Sequence, residues 1–156
     1  MKLGLISAIL GDLNFEEMID FLAECGLECV EVACWPKGKA ERRYAGVSHI
    51  DVDTLDDEKC AHILDYCQKK GVEISSLAYY PNTMDPDVEK RTAYIEHLHK
   101  LIDASAKLGV NMITTFIGRD PKKTVSQNLE LVKEIWPPIL DHAKEKGVKV
   151  AIENCP

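Results

Sequence analysis

A local pattern of a helix end, a Gly and a β-rich run occurs four times along this chain of 156 residues. The glycines of the four copies are Gly26, Gly71, Gly109 and Gly147. Gly favours the left-handed conformation that ends a helix, and Lys in the last turn interacts favourably with the helix dipole. Each copy therefore predicts a tight turn from helix to strand. The last three glycines are evenly spaced, as expected for a series of strand–helix units.

Segments of helical periodicity lie between these turns and predict four helices. Their expected capping residues are Asn14, Thr54, an Asp near 85–87 and Thr124. The β-rich runs predict five strands, at 3–9, 28–34, 72–79, 111–117 and 148–153. Pro137 and Pro138 should kink or break the fourth helix, because neither has an N–H and each ring crowds the preceding turn.

Composition and charge exclude several classes of protein. The chain is 46% hydrophobic and 29% charged, as globular domains are, and no apolar run reaches the roughly 18–20 residues that span a bilayer. A net charge of −7 opposes binding to nucleic acid or to anionic membranes. Six cysteines without a secretory signal predict reduced thiols in the cytoplasm. We expect a single cytoplasmic domain over 1–156 that acts on a small molecule.

The loops after the second, third and fourth predicted strands are long and rich in Pro, Gly and charge, whereas the helix-to-strand turns are short. Sites at the carboxyl ends of parallel strands are typical of a (β/α) barrel and also of an open doubly wound sheet. The first strand-to-helix turn lacks G-x-G-x-x-G and a P-loop, so no nucleotide site is predicted there. We expect functional residues at the strand carboxyl ends.

Strand alternation places two carboxylates and an aromatic residue on the face opposite the helices. These are Glu31 and Trp35 from the second strand and Glu153 at the end of the fifth. Glu153 is either a carboxylate of the active face or an ordinary charged residue beyond a strand. Glu31 either binds substrate or a metal-bound water, or pairs with a cation from a neighbouring strand, because a carboxylate there needs a partner.

The loops supply further candidates for substrate binding. Tyr79 and Asn82 follow the third strand and suit a polyol pocket with aromatic walls, although β-propensity explains the aromatic residues equally well. Arg119 either binds an anionic group or pairs with Asp120. His49 is the one histidine placed to reach the strand ends.

Other charged and histidine residues have competing interpretations. A basic run in the loop after the second strand either binds a phosphate or is simply solvated. It contains Lys37, Lys39, Arg42 and Arg43. His97 and His99 lie two apart on a predicted helix, so they face different directions, cannot share a metal and are expected at the surface.

Several segments together resemble the sugar phosphate isomerase/epimerase family of xylose isomerase-like TIM barrels. They are Val30–Pro36, Arg43–Asp51, Leu77–Asn82 and, most specifically, Ala151-Ile152-Glu153-Asn154-Cys155-Pro156. The resemblance implies that the Glu ending the fifth strand ligates a divalent metal (Mn²⁺, Mg²⁺, Co²⁺ or Zn²⁺) and takes part in proton transfer. The matching residue is Glu153.

The chain departs from that family in its length. A (β/α)₈ barrel has about 250 residues, and here the prediction ends at a fifth strand. The family's other ligands, an Asp, a His and a second Glu on strands six to eight, have no counterpart. We therefore expect the N-terminal portion of a barrel, an apparent truncation. Its first and fifth strands would have open edges that favour a homo-oligomer, and alone it would be inactive.

The resemblance leads to one principal functional hypothesis and two alternatives. The principal hypothesis is a divalent-metal-dependent isomerase or epimerase of carbohydrate metabolism that moves the proton alpha to a carbonyl of a sugar or sugar phosphate. The second is a non-catalytic half barrel that self-associates or docks on a partner. The third, a metal-dependent apurinic endonuclease, is opposed by the negative net charge.

Overall fold

Strands and helices alternate along the computed structural model, which describes residues 1–36 and 44–153. The strands are β1 (Gly4–Ile6), β2 (Cys29–Ala33), β3 (Glu73–Ala78), β4 (Met112–Thr115) and β5 (Lys149–Ile152). The helices are α1 (Phe15–Glu24), α2 (Asp57–Lys70), α3 (Val88–Lys107) and α4 (Val125–Glu145). All adjacent strands pair in parallel in the order β1-β2-β3-β4-β5. The predicted α/β fold, a partial barrel of five parallel strands and four helices, is confirmed.

The helix boundaries follow local capping chemistry. Asn14 and Thr124 each form a complete capping box, and the side chain of Asp87 accepts from the first turn of α3. The cap of α2 is Asp56, which accepts from the Lys59 N–H, so the predicted cap at Thr54 was wrong by two residues. All four predicted turn glycines have positive φ, which confirms the helix-to-strand turns.

The first strand is shorter than the predicted 3–9. It ends at Ile6, and Ser7–Leu10 form a turn of 3-10 helix. The reason is a side-chain bond, since the Ser7 hydroxyl accepts the Ala33 N–H at 2.8 Å and draws the chain away from a further strand pairing.

Pro137 and Pro138 lie inside α4 without breaking it, so of the predicted kink or break the break was wrong. Both prolines are exposed, whereas the neighbouring Trp136 and Ile139 are buried in the core. Packing on both sides of the prolines therefore holds the helix across the two missing N–H groups.

The main core fills the space between the sheet and the helices. Its fully buried side chains include Met18, Leu22, Val30, Val32, Leu77, Leu98, Leu101, Ile113 and Ile139. None of the described helices is long and apolar enough to cross a membrane.

One irregularity in β3 decides which residues face away from the helices. Val30 of β2 pairs with Ile74 and the next residue, Glu31, pairs with Ser76, so Ser75 is an extra residue in the ladder. Such a bulge reverses the alternation of side chains beyond it. Ser76 therefore shares the inner face of the sheet with Glu31.

Candidate functional site

A chain of hydrogen bonds crosses three strands on the inner face of the sheet. The Thr114 hydroxyl of β4 donates to the Ser76 hydroxyl of β3 at 2.9 Å, and Ser76 donates to one oxygen of Glu31 on β2 at 3.0 Å. The Tyr80 hydroxyl, from the loop after β3, donates to the other oxygen of Glu31. Of the two roles open to Glu31, structural pairing is the one observed, although its partners are hydroxyl groups rather than a cation.

Tyr80 links this series of hydrogen bonds to the end of β5. Its hydroxyl faces Glu31 and also the carboxylate of Glu153, and its ring packs on Phe116 with 4.5 Å between centroids. Burial, the Glu31 carboxylate and the Glu153 carboxylate all raise the pKa of Tyr80 far above its usual range. Tyr80 therefore stays protonated and donates its one hydroxyl hydrogen to Glu31.

Glu153 stands at the mouth of the partial barrel. Its backbone N–H donates to the Thr115 carbonyl at 3.0 Å, directly after β5, and its side chain is exposed. An exposed carboxylate at the carboxyl end of a parallel strand is accessible to a ligand. The next three residues, 154–156, lie outside the described part of the chain.

An apolar cavity of about 240 Å³ adjoins Tyr80. Its aromatic walls are Trp35, Tyr44, Tyr80 and Phe116, with Ile6 from the end of β1 and Ile9 from the 3-10 turn. The ring of Trp35 also meets Tyr79 edge to face, with 4.9 Å between centroids. The site thus combines an apolar wall with carboxylate acceptors, a combination that suits a small polyol.

The structure corrects the expected role of Tyr79. Its side chain is only 1% exposed and packs against His97 in the core, with 4.6 Å between ring centroids. Strict alternation counted from the buried Ile74 would bring Tyr79 to the inner face, and the extra residue at Ser75 reverses that assignment. Tyr80 is the tyrosine of the site.

Asn82 and Arg119 join the loops after β3 and β4. The Asn82 amide donates to the Arg119 carbonyl at 2.9 Å and accepts the Arg119 N–H at 2.8 Å. Asn82 is thus occupied by the chain itself. The Arg119 side chain is exposed, and Asp120 pairs with Lys123 at 2.8 Å instead of with Arg119.

His49 holds the 3-10 turn against β2. Its ring nitrogens lie 3.0 Å from the Ser7 hydroxyl and 3.3 Å from the Leu10 carbonyl. The Leu10 carbonyl can only accept, so Nε2 of His49 donates to it, and Nδ1 of the neutral ring accepts from the Ser7 hydroxyl. Burial lowers the pKa of His49, consistent with a neutral ring. Both nitrogens are engaged by the chain itself.

Two other expectations concern the surface position of His97 and His99 and the role of the basic run. His97 is buried, not at the surface, and donates from its ring to the Cys34 carbonyl at 2.8 Å. His99 is half-buried and its ring packs on His142. The basic run of Lys37, Lys39, Arg42 and Arg43 lies outside the described residues.

Sequence reasoning missed Ser76 and Thr114. Small hydroxyl residues in a strand carry no strong signal, and the bulge hides the face of Ser76. The signal that could have found them is the neighbouring inward Glu31, because a half-buried carboxylate requires hydrogen-bond donors on the adjacent strands.

A divalent metal needs three or four protein ligands in a catalytic site. Within residues 1–36 and 44–153, no group of three or more His, Cys, Asp or Glu side chains could hold one. Glu31 and Glu153 approach a common point at Tyr80, but two carboxylates, one of them already engaged by two hydroxyls, do not complete a site. The described residues therefore do not by themselves fit a bound metal.

Parallel pairing and a polar cluster at the strand carboxyl ends define one side of a (β/α) barrel with a candidate ligand site at its mouth. The chain belongs to the xylose isomerase-like TIM barrel family, whose profile matches residues 19–156. No curated protein matches the chain significantly.

Several solved structures share this fold. A probable 3-DHS dehydratase, AsbF of Bacillus anthracis, is 18% identical with a TM-score of 0.74, covering 100% of this chain and 53% of AsbF. D-psicose 3-epimerase of Clostridium cellulolyticum H10 is 18% identical with a TM-score of 0.70, and the match covers 97% of this chain and 52% of the epimerase. The IolI protein, solved with a zinc atom, is 17% identical with a TM-score of 0.66, and the match covers 97% of this chain and 51% of IolI. The chain thus spans about half the length of these structures, and the likeness shows the fold alone.

Proposed function

We propose that this chain is part of an isomerase or epimerase that moves a proton on the carbon next to the carbonyl group of a sugar or sugar phosphate. The observation that carries the proposal is the pair of carboxylates at the barrel mouth, Glu31, which accepts from Tyr80, and Glu153, which lies near the same tyrosine. Membership of the xylose isomerase-like family and the D-psicose 3-epimerase fold support the reaction class.

In this proposal Glu153 is the catalytic base. Its exposed carboxylate accepts the proton from the substrate carbon, and general bases of this kind accelerate such steps by about 10²–10⁴-fold. Glu31, held by Ser76 and Tyr80, stays in place as an acceptor beside the substrate hydroxyls. Trp35 and Phe116 contact the C–H face of the sugar through the apolar cavity.

We also propose that Glu153 supplies one ligand to a divalent metal in the complete protein. The zinc atom in IolI supports this assignment, as does the resemblance around Ile152-Glu153. The other ligands would come from outside the described residues. With such an ion (Mn²⁺, Mg²⁺, Co²⁺ or Zn²⁺), Glu153 would be one of its ligands, and the chemistry supplied would be Lewis-acid polarisation of a substrate carbonyl.

For a phosphorylated substrate, Arg119 is the described residue that we propose for the anionic group. Its side chain is exposed at the carboxyl end of β4, and Asp120 is engaged by Lys123. His49, Asn82 and Tyr79 are not assigned to substrate, because the structure engages or buries each of them elsewhere.

The test is exchange of the sugar C–H with solvent deuterium. D-Fructose and D-tagatose, with Mn²⁺ added, are incubated in D₂O with the whole polypeptide that the source gene encodes, and exchange is followed by proton NMR. We expect Glu153→Gln to slow exchange by about 100-fold or more. Glu145→Gln, an exposed carboxylate at the end of α4, is the matched control and should exchange like wild type. Equal rates for wild type and Glu153→Gln would reject the proposal.

A non-catalytic half barrel is the second candidate, favoured by the unpaired outer edges of β1 and β5 in the described sheet. It predicts no deuterium exchange into any sugar and a stable oligomer. Exchange that depends on Glu153 would reject this candidate.

A further inference from the structure

His49 joins three segments of the chain at one side of the barrel mouth. Its ring bonds to the 3-10 turn, with 3.0 Å to the Ser7 hydroxyl and 3.3 Å to the Leu10 carbonyl. Its backbone N–H donates to the Ala33 carbonyl of β2 at 2.9 Å, and the Ser7 hydroxyl accepts the Ala33 N–H at 2.8 Å. The pair of Ser7 and His49, here named the clasp, thus holds the loop after β2, the 3-10 turn and the end of β2 together.

The hydrogen bonds of the clasp require a neutral imidazole. The hydrogen on Nε2 is donated to Leu10, and the bare Nδ1 accepts the Ser7 hydroxyl hydrogen. A proton on Nδ1 would bring two hydrogens face to face between the ring and the hydroxyl. Ser7 is 0% exposed, so a hydroxyl turned away from the ring would lose its acceptor without gaining water. A buried donor without a partner is costly, and protonation of His49 therefore acts against the clasp.

The segments that the clasp joins form one side of the apolar cavity. The cavity residues that they supply are Ala8, Ile9, Tyr44 and Ala45. Trp35, another wall of the cavity, donates its backbone N–H to the Val47 carbonyl of the same loop at 3.2 Å. The turn and the loop are closely packed, since a Cβ added to Gly11 would lie 2.8 Å from a Val47 methyl group. Release of the clasp would therefore disturb this wall.

Solvent protons reach His49 from the side away from that cavity. The half-buried ring also lines a second cavity, of about 220 Å³, between α1 and α2. The ionisable groups of this second cavity are Glu16 of α1, Asp51 of the loop, and Lys59 and His62 of α2. Glu16 pairs with His62 at 2.7 Å, and Lys59 lies 3.7 Å from the cap of α2. The 3-10 turn has no ionisable side chain, and Glu31 of β2 is bonded to hydroxyl groups of β3 and of the loop after it. The two carboxylates of the cavity favour a charged ring once its bonds are broken, and Lys59 opposes it.

We propose that the clasp is a pH-sensitive device that holds the apolar wall of the candidate site in place while His49 is neutral and releases it when the ring is protonated. The clasp stands on the hydrogen bonds of the 3-10 turn, and its effect on catalysis rests on the proposed function. Burial lowers the pKa of His49, so release belongs below the ordinary histidine value of about 6.5.

His49→Gln separates the bonds of the clasp from its titration. The Gln amide has a donor for the Leu10 carbonyl and an acceptor for the Ser7 hydroxyl, and it does not ionise. His142→Gln is the matched control, because it removes a histidine that bonds to Asp103 at 2.9 Å between α3 and α4. Circular dichroism checks that each variant is folded at each pH.

The first readout does not depend on catalysis. The indole N–H signal of Trp35 is followed by NMR from pH 7.5 to 5 in the whole polypeptide that the source gene encodes, and is assigned by its loss in Trp35→Phe. Trp136, buried in α4, is the internal reference for the folded state. We expect the Trp35 signal to shift with a midpoint below about 6.5 in wild type and in His142→Gln, and to stay in place in His49→Gln. A Trp35 signal that does not move in wild type, or that moves equally in His49→Gln, would overturn the proposal.

Ser7→Ala tests the other half of the clasp. Loss of the hydroxyl removes the hydrogen bond that favours a bare Nδ1, so the midpoint of the Trp35 shift should rise towards the ordinary histidine value. Ser75→Ala is the matched control, because the Ser75 hydroxyl donates to the Val30 carbonyl at 3.0 Å within the sheet. Equal midpoints in Ser7→Ala and Ser75→Ala would contradict the proposal.

The second readout is the pH profile of sugar exchange. We expect exchange by wild type to fall below the midpoint by up to about tenfold per pH unit, the limit for a single ionisation, and exchange by His49→Gln to stay level over the same range. Parallel profiles for the two proteins would overturn the effect of the clasp on catalysis. If the Trp35 signal follows His49 but wild type exchanges no sugar at any pH, the clasp is upheld and the proposed function fails.

Discussion

Three histidines of this chain are held away from solvent by packing. Burial lowers the pKa values of His49, His97 and His99. His97 is the most completely enclosed, with its ring nitrogen donating to the Cys34 carbonyl and its face near Tyr79. Neutral histidines in a folded core oppose folding once the unfolded chain can take up protons.

Stability should therefore fall on the acid side of neutrality. A lowered pKa means that the unfolded state binds more protons than the folded state below the unfolded value of about 6.5. The free energy of unfolding should decrease as the pH drops through this value, by at most about 1.4 kcal/mol per pH unit for each histidine. Urea denaturation between pH 5.5 and 7.5 measures the slope.

Substitution identifies the residue responsible. His97→Gln should reduce the slope relative to wild type, because it removes a buried histidine whose pKa is lowered by burial. An identical slope in His97→Gln and wild type would contradict this explanation.

At the residue scale, sequence reasoning located the two carboxylates but not their partners. The alternation of side chains along a strand is sufficient to place Glu31 and Glu153, because β2 and β5 are regular up to these two residues. Tyr79 was expected to line the pocket, and its burial was not foreseen because the bulge that turns it into the core has no clear signature in the sequence. His97 was expected at the surface because helical periodicity does not show which polar residue finds a buried carbonyl.

At the scale of elements, the loops after β3 and β4 are joined by close backbone contact. Asn82 bonds both backbone groups of Arg119, and the Thr83 hydroxyl donates to the Ile117 carbonyl at 2.7 Å. Gly118 permits this approach, since its φ is +79° and an added Cβ would lie 2.1 Å from the Asn82 side-chain oxygen. The junction fixes the loops that carry Tyr80 and Phe116.

Gly118→Ala should disrupt this junction. The left-handed backbone alone costs about 1–2 kcal/mol for a residue with a Cβ, and displacement of Asn82 adds the loss of its bonds. Gly109→Ala is the matched control, because Gly109 has φ +68° and nothing within 4 Å of its added Cβ. Urea denaturation should show a larger loss for Gly118→Ala, and equal losses would contradict the steric explanation.

The prolines of α4 offer a second prediction for an element. Replacing Pro137 and Pro138 by Ala restores two N–H groups and removes ring crowding at exposed positions. We expect the double variant to be more stable by at least about 1 kcal/mol, since proline inside a helix costs about 3 kcal/mol relative to Ala. Thermal unfolding measures the change against Lys144→Ala, an exposed site in the same helix. A less stable double variant would contradict it.

The elements themselves were largely predictable. Capping residues and turn glycines mark helix ends through local chemistry, which a sequence displays directly. The early end of β1 and the continuous α4 were not predictable, because a bond from Ser7 to β2 and packing around Trp136 and Ile139 decide them. Both depend on contacts between distant parts of the chain.

At the scale of the whole molecule, the described sheet has two outer strands without a further partner, β1 and β5. Apolar side chains are exposed on or beside both, with Leu3 67% and Ile152 45% exposed. Open edges of this kind favour pairing with another chain. The expected homo-oligomer follows from these edges and stays a prediction.

Self-association of the 156-residue chain should weaken when a charged side chain is introduced on an outer strand of the sheet. We expect sedimentation velocity to show concentration-dependent species larger than a monomer, and Ile152→Lys to shift them towards the monomer. Val125→Lys adds the same charge at an exposed apolar site on α4, distant in sequence from both edges, and should leave association unchanged. A concentration-independent monomer in wild type would contradict the prediction.

The length of the encoded polypeptide decides between the two candidate functions at this scale. We expect the reading frame in the source DNA to continue past the Pro156 codon for about a hundred residues, with acidic and histidine residues at strand ends. A stop codon there would favour the non-catalytic half barrel.

The extra residue in β3 makes the site sensitive to deletions in a way that substitutions do not reveal. Loss of the Ser75 codon would leave the pairings of Ile74 and Ser76 intact and merely straighten the ladder. Loss of the Leu77 codon would turn every later side chain of the strand over, sending the Tyr80 hydroxyl into the core and Tyr79 to the mouth. Deletion of the Ser75 codon should therefore preserve the site, whereas deletion of the Leu77 codon, two positions further on, should abolish it.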